Sequence, residues 1–282
     1  MKKLPQSALL NNPVFPWQVE RFTRVGRLPA LLEVTPEATL VIAVNGMEIA
    51  AMPRTPGADL EMAVGFVVSE GYVQGFDAIT ETRYTPVSGQ NGNTSAERVD
   101  LTAEASALRL EAGRGLLRLY HPSRTGFDAA LLQKNDDLLS PLPLPGWCVN
   151  GEKLLEMAET LRANQVNYER TRGIHASALF DASARMLVMY EDISRHNTVD
   201  KVLGWALLNR VPLSECLLLT TGRAGHKMVL KAVRVGLPVL ASRSSPSSVA
   251  IQLAQALNLT LVGYLAGDQG NLYTHGSRLL FQ

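Results

Sequence analysis

From Phe180 to Tyr264 the chain alternates short apolar runs with amphipathic stretches, in the order strand, helix, strand, helix, strand, helix, strand. Cys216-Leu217-Leu218-Leu219, Pro238 to Ala241 and Leu259 to Tyr264 carry few polar side chains, as strands covered on both faces do. Between them, Val199, Val202, Leu203, Ala206 and Leu207, and then Met228, Val229, Ala232 and Val233, keep helical spacing. Parallel strands joined by helices leave a ligand crevice beyond the carboxyl ends of the strands. A hairpin of Ile174 to Phe180 and Met186 to Glu191 precedes them, so the expected fold is α/β, a mixed sheet with flanking helices.

Upstream, Thr39 to Val44 and Met47 to Ala51 flank Asn45-Gly46, a pair suited to the positive-φ positions of a type I′ turn, which predicts a hairpin. After Pro56-Gly57-Ala58, Asp59 is placed to cap a helix carrying Leu60, Ala63, Val64, Val67 and Val68, and Gly71 to end it. Strands are expected from Glu97 to Thr102, Ala107 to Glu111 and Leu116 to Tyr120. Periodicity is lost from Gly126 to about Gly151, where Leu142-Pro143-Leu144-Pro145-Gly146 reads as an extended connection. Further on, Ser245 and Pro246 are placed to start a helix that runs to Leu257. The expected layout is an N-terminal extension over 1–33, a smaller α+β domain over 34–125, a linker over 126–150 and a larger α/β domain over 151–282.

With 282 residues, 46% of them hydrophobic, the chain can bury one large core or two ordinary ones, and two domains are expected. A net charge of +1 supplies no global field toward nucleic acid or a membrane surface, so an anion must be caught by local arginines and backbone amides. No stretch reaches the ~18 apolar residues of a membrane span, and Met1 to Pro13 holds no apolar run of the ~7–15 residues a secretory signal needs. The expected location is cytoplasmic. Cys148 and Cys216 are the two cysteines, too few for a disulfide framework or a cysteine-rich metal site.

Gly222-Arg223-Ala224-Gly225 stands where a buried strand hands over to a helix. Glycines there admit a ligand close to the backbone, a helix N-terminus offers free amides, and Arg223 adds a bidentate fork, all suited to phosphate or pyrophosphate. The segment equally fits a plain turn with an arginine in water. Glu191-Asp192 and Arg195-His196 bring two acids and two donors to another strand end, as either a ligand site or a capping salt bridge. His175 starts the strand of the same hairpin, either near His196 or as a hydrogen-bonded core histidine. His275 follows the loop Ala266-Gly267-Asp268-Gln269-Gly270. The helical two-histidine spacing and the cysteine pair of a zinc deaminase are both missing, as are a nucleophile elbow and a Gly-Lys-Ser/Thr phosphate loop, so no metal is expected.

Taken together, these segments resemble the family of the formate dehydrogenase accessory protein FdhD, from about Val34 to His275. The resemblance runs through Val44-Asn45-Gly46, Arg54-Thr55-Pro56-Gly57-Ala58-Asp59-Leu60-Glu61, Ser69-Glu70-Gly71, Gly173-Ile174-His175-Ala176, Glu191 to Asn197 with Asp200-Lys201, Gly222-Arg223-Ala224 and Asn258 to Tyr264. It implies a cytoplasmic homodimer whose C-terminal domain is similar to the cytidine deaminase fold without its zinc. It also implies action on the molybdenum (or tungsten) bis-guanine-dinucleotide cofactor, for which GDP is a mimic. Family members take persulfide sulfur from a cysteine desulfurase and pass it to the metal centre before the cofactor enters formate dehydrogenase.

Carried over by position, the cofactor-contacting loop is Tyr264, Leu265, Ala266, Gly267, Asp268 and Gln269, without the positive residues often found there and with Asp268 opposed to a pyrophosphate. The family's Cys-x-x-Cys loop falls after Arg124-Thr125-Gly126, where this chain has Phe127-Asp128-Ala129-Ala130. Phe127 and Ala130 occupy the cysteine positions, and neither can hold a persulfide. Arg172 stands where the family tends to have glycine. The expected function is therefore a cofactor-binding maturation factor without a catalytic residue. Gly222 and Arg223 would meet pyrophosphate, and His175, Arg195, His196 and His275 would line the pocket. Its implied partners are a cysteine desulfurase, formate dehydrogenase and a second copy, with no nucleic acid and no membrane. The alternatives are sulfur transfer through Cys148 and a non-enzymatic nucleotide- or protein-binding module on the same fold.

Overall fold

The computed structural model describes residues 14–85, 97–109, 139–144 and 146–281. It begins with an antiparallel ribbon of β1 (Phe15–Thr23) and β2 (Gly26–Val34), which the reading of residues 1–33 did not anticipate. Phe15 faces Val34, Trp17 faces Leu32, Val19 faces Ala30 and Arg21 faces Leu28, so strand alternation makes one face largely apolar, while Leu31 and Phe22 fall on the other among polar residues. Phe15, Trp17 and Leu28 stay more than half exposed.

β3 (Ala38–Val44) and β4 (Met47–Arg54) form the expected hairpin, with Asn45 at φ 48 and Gly46 at φ 81. The Asn45 amide also receives the Ala103 backbone N–H at 2.8 Å and donates to the Ala103 carbonyl at 2.9 Å. That joins the turn to the end of a neighbouring strand. After α1 (Asp59–Ser69) come β5 (Ile79–Thr85) and β6 (Glu97–Ala103), in a four-stranded sheet ordered β4-β3-β6-β5. Asp59 does not cap α1. Ala58, at φ 55, precedes the helix, and the Asp59 carboxylate is taken by Arg54, with Nε at 2.7 Å and Nη2 at 2.9 Å. The strand expected from Ala107 to Glu111 does not start at Ala107, since Ala105–Ala107 form a 3-10 turn, and its end from residue 110 lies outside the described residues. Residues 110–138, with the expected strand Leu116 to Tyr120 and the Phe127 and Ala130 positions, lie outside the described residues.

β7 (Val149–Asn150) leads into α2 (Gly151–Asn164), capped by Asn150, and then a short α3 (Val166–Thr171). The hairpin of β8 (His175–Asp181) and β9 (Met186–Asp192) follows, then α4 (Arg195–Leu208), β10 (Cys216–Thr220), α5 (His226–Arg234), β11 (Val239–Ser242) and α6 (Ser248–Ala256). β12 (Thr260–Ala266), β13 (Gln269–Thr274) and β14 (Leu279–Leu280) complete the chain, β14 pairing with β7. The six-stranded sheet is ordered β13-β12-β11-β10-β8-β9, with β10, β11 and β12 parallel and the other neighbours antiparallel, a mixed α/β sheet. Two helix starts shift from expectation. Arg195 and His196 lie inside the first turn of α4, capped by Ser194, and Ser247 rather than Ser245 caps α6.

Alternation along β10 divides the core. Leu218 packs with Leu179, Leu240 and Leu261 against α4, α5 and α6, whereas Leu217 and Leu219 pack with Phe180 and Val262 against Leu154, Met157 and Leu161 of α2. Fully burying each such leucine contributes about 1.5–3 kcal/mol. α1 lies on α4, with Gly65 and Gly204 at their meeting point. A buried polar seam runs beside them. Asp192 pairs with Lys201 at 2.7 Å, Lys201 donates to the Thr55 carbonyl at 2.8 Å, and Asn197 donates to the Pro53 carbonyl at 2.9 Å. Asp192 also accepts from the Thr55 amide at 3.1 Å.

Candidate functional site

β10, β11 and β12 run the same way and end at Thr220, Ser242 and Ala266. β8 runs against β10, so its first residue, His175, stands at that same end, with Asp192 opposite it on β9. Here the sheet opens into a cleft of about 580 Å³ whose lining includes Arg162, Tyr168, Arg172, His175, Thr221, Arg243 and Ala266. It is the crevice that strand direction dictates.

The turns around it are tied down. The Thr221 amide donates to the Ala176 carbonyl at 2.9 Å and its hydroxyl oxygen accepts from the Ala176 amide at 3.0 Å. Ser242 Oγ donates to the Gly222 carbonyl at 2.7 Å, and the Arg243 amide donates to the Thr220 carbonyl at 2.9 Å. On the opposite wall, buried Glu191 accepts from the amides of Asn167 and Tyr168, both at 2.9 Å, which fixes the start of α3 and hence Tyr168. Burial pushes the Glu191 carboxyl above its usual range against the pull of those two amides.

The cleft is cationic. Arg162, Arg172 and Arg243 line it, and Arg243 Nε is buried with no hydrogen-bond partner among the described residues. A buried donor left unpaired costs about 1–3 kcal/mol. Arg195 Nε is in the same condition, and its aliphatic stem lies where a Gly222 side chain would be, 2.5 Å from the position of a Cβ there. Burial first, and then Arg223, lowers the Arg195 pKa. His175 Nδ1 is 3.4 Å from Thr221 Oγ1. Burial, followed by Arg195, lowers the His175 pKa below 6.5, with Asp192 opposing, so the imidazole is neutral at neutral pH.

Of the expected site residues, the structure brings His175 and Ala266 into the lining, with Gly222 and Arg195 packed together near it. Arg223 is exposed, as are Tyr264, Gly267, Asp268 and Gln269, while Leu265 is buried in the core. His196 is outside the lining, with Lys231, Lys227 and Glu70 near it, and burial, then Arg195 and these lysines, hold it at about 4. His275 is at the far end of the sheet: Thr274 faces Leu261, five residues or about 17 Å of strand from Ala266, and His275 Nε2 meets the Gln255 carbonyl oxygen at 2.9 Å. Arg162, Tyr168 and Arg243 were not anticipated. Arg243 had a signal, since it follows a buried strand just as Arg223 does.

Both cysteines stand at the far end too. Cys216 opens β10, and burial pushes its thiol up to about 12. Exposed Cys148 donates to the Ser277 carbonyl at 3.5 Å. Among the described residues no group of three or more His, Cys, Asp or Glu is placed to hold a metal ion. Among the described residues no helix is long and apolar enough to cross a membrane.

The model of the FdhD/NarQ family matches residues 35–280. The chain is 34% identical to the sulfur carrier protein FdhD of Nocardia farcinica over 268 residues, 93% of each chain. It is 38% identical to that of Mycobacterium tuberculosis over 249 residues, covering 86% of this chain and 90% of the relative. Identity to the Sulfolobus acidocaldarius protein of the same name is 33%, over 87% of this chain and 90% of the relative. Among solved structures it is similar to a Desulfotalea psychrophila protein described as a formate dehydrogenase accessory protein. The TM-score is 0.73 at 25% identity, covering 95% of this chain and 99% of that one. Sequence similarity along nearly the whole length, together with the matching fold, places the chain in the FdhD/NarQ family.

Proposed function

We propose that this chain binds the molybdenum (or tungsten) bis-guanine-dinucleotide cofactor as cargo during formate dehydrogenase maturation, and that the strand-end cleft receives one of its guanine-dinucleotide arms. The convergence of Arg162, Arg172 and Arg243 on the cleft at the strand ends carries the reading, because it gathers guanidinium groups where a pyrophosphate would enter. Arg162 and Arg172 add charge for the pyrophosphate, and neutral His175 beside Thr221 offers an uncharged partner for the purine or ribose. Asp268 is exposed on the β12–β13 turn, outside the cleft lining, so its charge opposes an incoming pyrophosphate less than its place in the sequence implies.

The relatives are named sulfur carriers. In this chain the cleft lining holds no thiol, Phe127 and Ala130 stand at the family's cysteine positions, and the remaining cysteines are at the other end of the sheet. The reading is therefore a cofactor carrier in which the persulfide relay is lost, so a cysteine desulfurase has no thiol to load at the cleft. Its other partners are formate dehydrogenase, as the acceptor, and a second copy of the chain. The exposed apolar face of the β1–β2 ribbon supports that second copy, since a two-stranded ribbon needs cover on such a face.

Calorimetric titration with GDP, with CDP as control, tests the reading. Saturable binding selective for guanine is expected. Failure of both nucleotides to bind would move the assignment to an interaction module on the same fold.

A further inference from the structure

Two of the arginines in the cleft already hold an anion. Arg172 Nη2 lies 2.7 Å from Glu169 Oε2, and Arg162 pairs with the other oxygen, Oε1, of the same carboxylate. One carboxylate thus engages two guanidinium groups, one on each oxygen, much as two oxygens of a phosphate would. Both guanidinium carbons also lie over the Tyr168 ring, 4.9 and 5.1 Å from its centroid, within cation–π range. Arg162, Tyr168 and Arg172 line the cleft, and Glu169, bound to both arginines, is outside the lining. The Arg162, Glu169 and Arg172 side chains are 30%, 49% and 59% exposed. Pairs that open to water contribute little stability and separate readily.

Resting on the reading of this cleft as an anion site, we propose that Glu169 is a resident anion, which occupies Arg162 and Arg172 until a diphosphate displaces it. On displacement the ligand oxygens take the two guanidinium groups and the carboxylate turns to water, while the Tyr168 ring keeps both arginines over the cleft. The exchange sorts ligands by charge. A monoanion gains nothing over a carboxylate that already bridges both arginines, but a diphosphate brings more charge and more oxygens to the same donors. Glu169 therefore lowers affinity for every phosphate ligand and sets the charge at which the cleft fills.

The test is Glu169→Gln in the full chain, which keeps size and removes charge. Wild type and variant are titrated with inorganic pyrophosphate and with GDP, at low salt and at ~1 M salt, and thermal unfolding verifies that the variant is folded. The variant is expected to bind both ligands ~3–10-fold more tightly at low salt, with the gap closing at high salt as exposed charges are screened. Equal or weaker binding by the variant overturns the proposal and leaves the anion-site reading standing. A gain confined to GDP also overturns it, because the effect would then belong to the purine. Absence of binding to either protein overturns both.

Discussion

Gly65 and Gly204 touch backbone to backbone: a Cβ on Gly65 would sit 1.9 Å from the Asp200 carbonyl oxygen, and one on Gly204 would sit 1.7 Å from that of Glu61. No rotamer change relieves a clash with main chain, so α1 and α4 must separate to admit even a methyl group. Gly204→Ala should cost about 2–4 kcal/mol, the scale of severe overpacking. Urea denaturation measures it, and an unchanged midpoint would mean that the helices slide apart at little cost.

Arg243→Ala should weaken GDP binding by roughly 1–3 kcal/mol, the scale of a charge-assisted hydrogen bond. Arg223→Ala should cost less, because that side chain is exposed and outside the lining. Calorimetry on the two variants ranks them, and a larger loss at Arg223 would move the phosphate site to the start of α5.

His196 sets a pH dependence of stability. Held at about 4 when folded, against an ordinary value of 6.5, it takes up its proton more readily in the unfolded chain. Between those values the unfolded state binds more protons, so this contribution to stability is lost as pH falls from 6.5 toward 4. Asp200 acts in the opposite sense, since burial raises its carboxyl from 3.8 to about 6 and the folded state then holds the extra proton. Comparison with His196→Gln removes that shared background. The wild-type stability should fall more steeply than the variant's across pH 6.5 to 4, and parallel curves would sink the assignment.

Cys148 should alkylate in the folded protein while Cys216 resists until unfolding, and Cys148→Ser should leave GDP affinity unchanged. Mass analysis and calorimetry read these outcomes. A nucleotide affinity that follows the state of Cys148 would contradict its place at the far end of the sheet.

Charge on the ribbon face should oppose self-association. Trp17→Asp is expected to shift the protein toward monomer in sedimentation velocity, and an unaltered distribution would assign that face to another partner.

Much of the main sheet was legible because buried strands and amphipathic helices differ in period, and the Asn45-Gly46 turn because its two residues accept positive φ. The β1–β2 ribbon was not. Pro16 and Pro29 interrupt the alternating pattern, its turn lacks an Asn-Gly pair, and its apolar face meets nothing that sequence could reveal. The helix start near Ser245 was misplaced because several serines compete for the cap, and the start at Asp59 because a tertiary partner takes its carboxylate. Asp59 went to Arg54. The cleft was half legible: strand ends located it, but Arg162 and Tyr168 arrive from α2 and α3, whose placement depends on packing and on the grip of Glu191.

The seam that joins Pro53 and Thr55 to Asp192, Asn197 and Lys201 links residues 137 to 146 positions apart in sequence. At the ~5–20 residues per second of synthesis, its first half waits on the order of ten seconds for its second. Until then Pro53 and Thr55 have no fixed neighbours across the gap, and closing so large a loop precedes any gain from the contacts it brings. Refolding of this chain should therefore be limited by late closure of this seam, and fragments ending before Lys201 should need a chaperone to stay in solution.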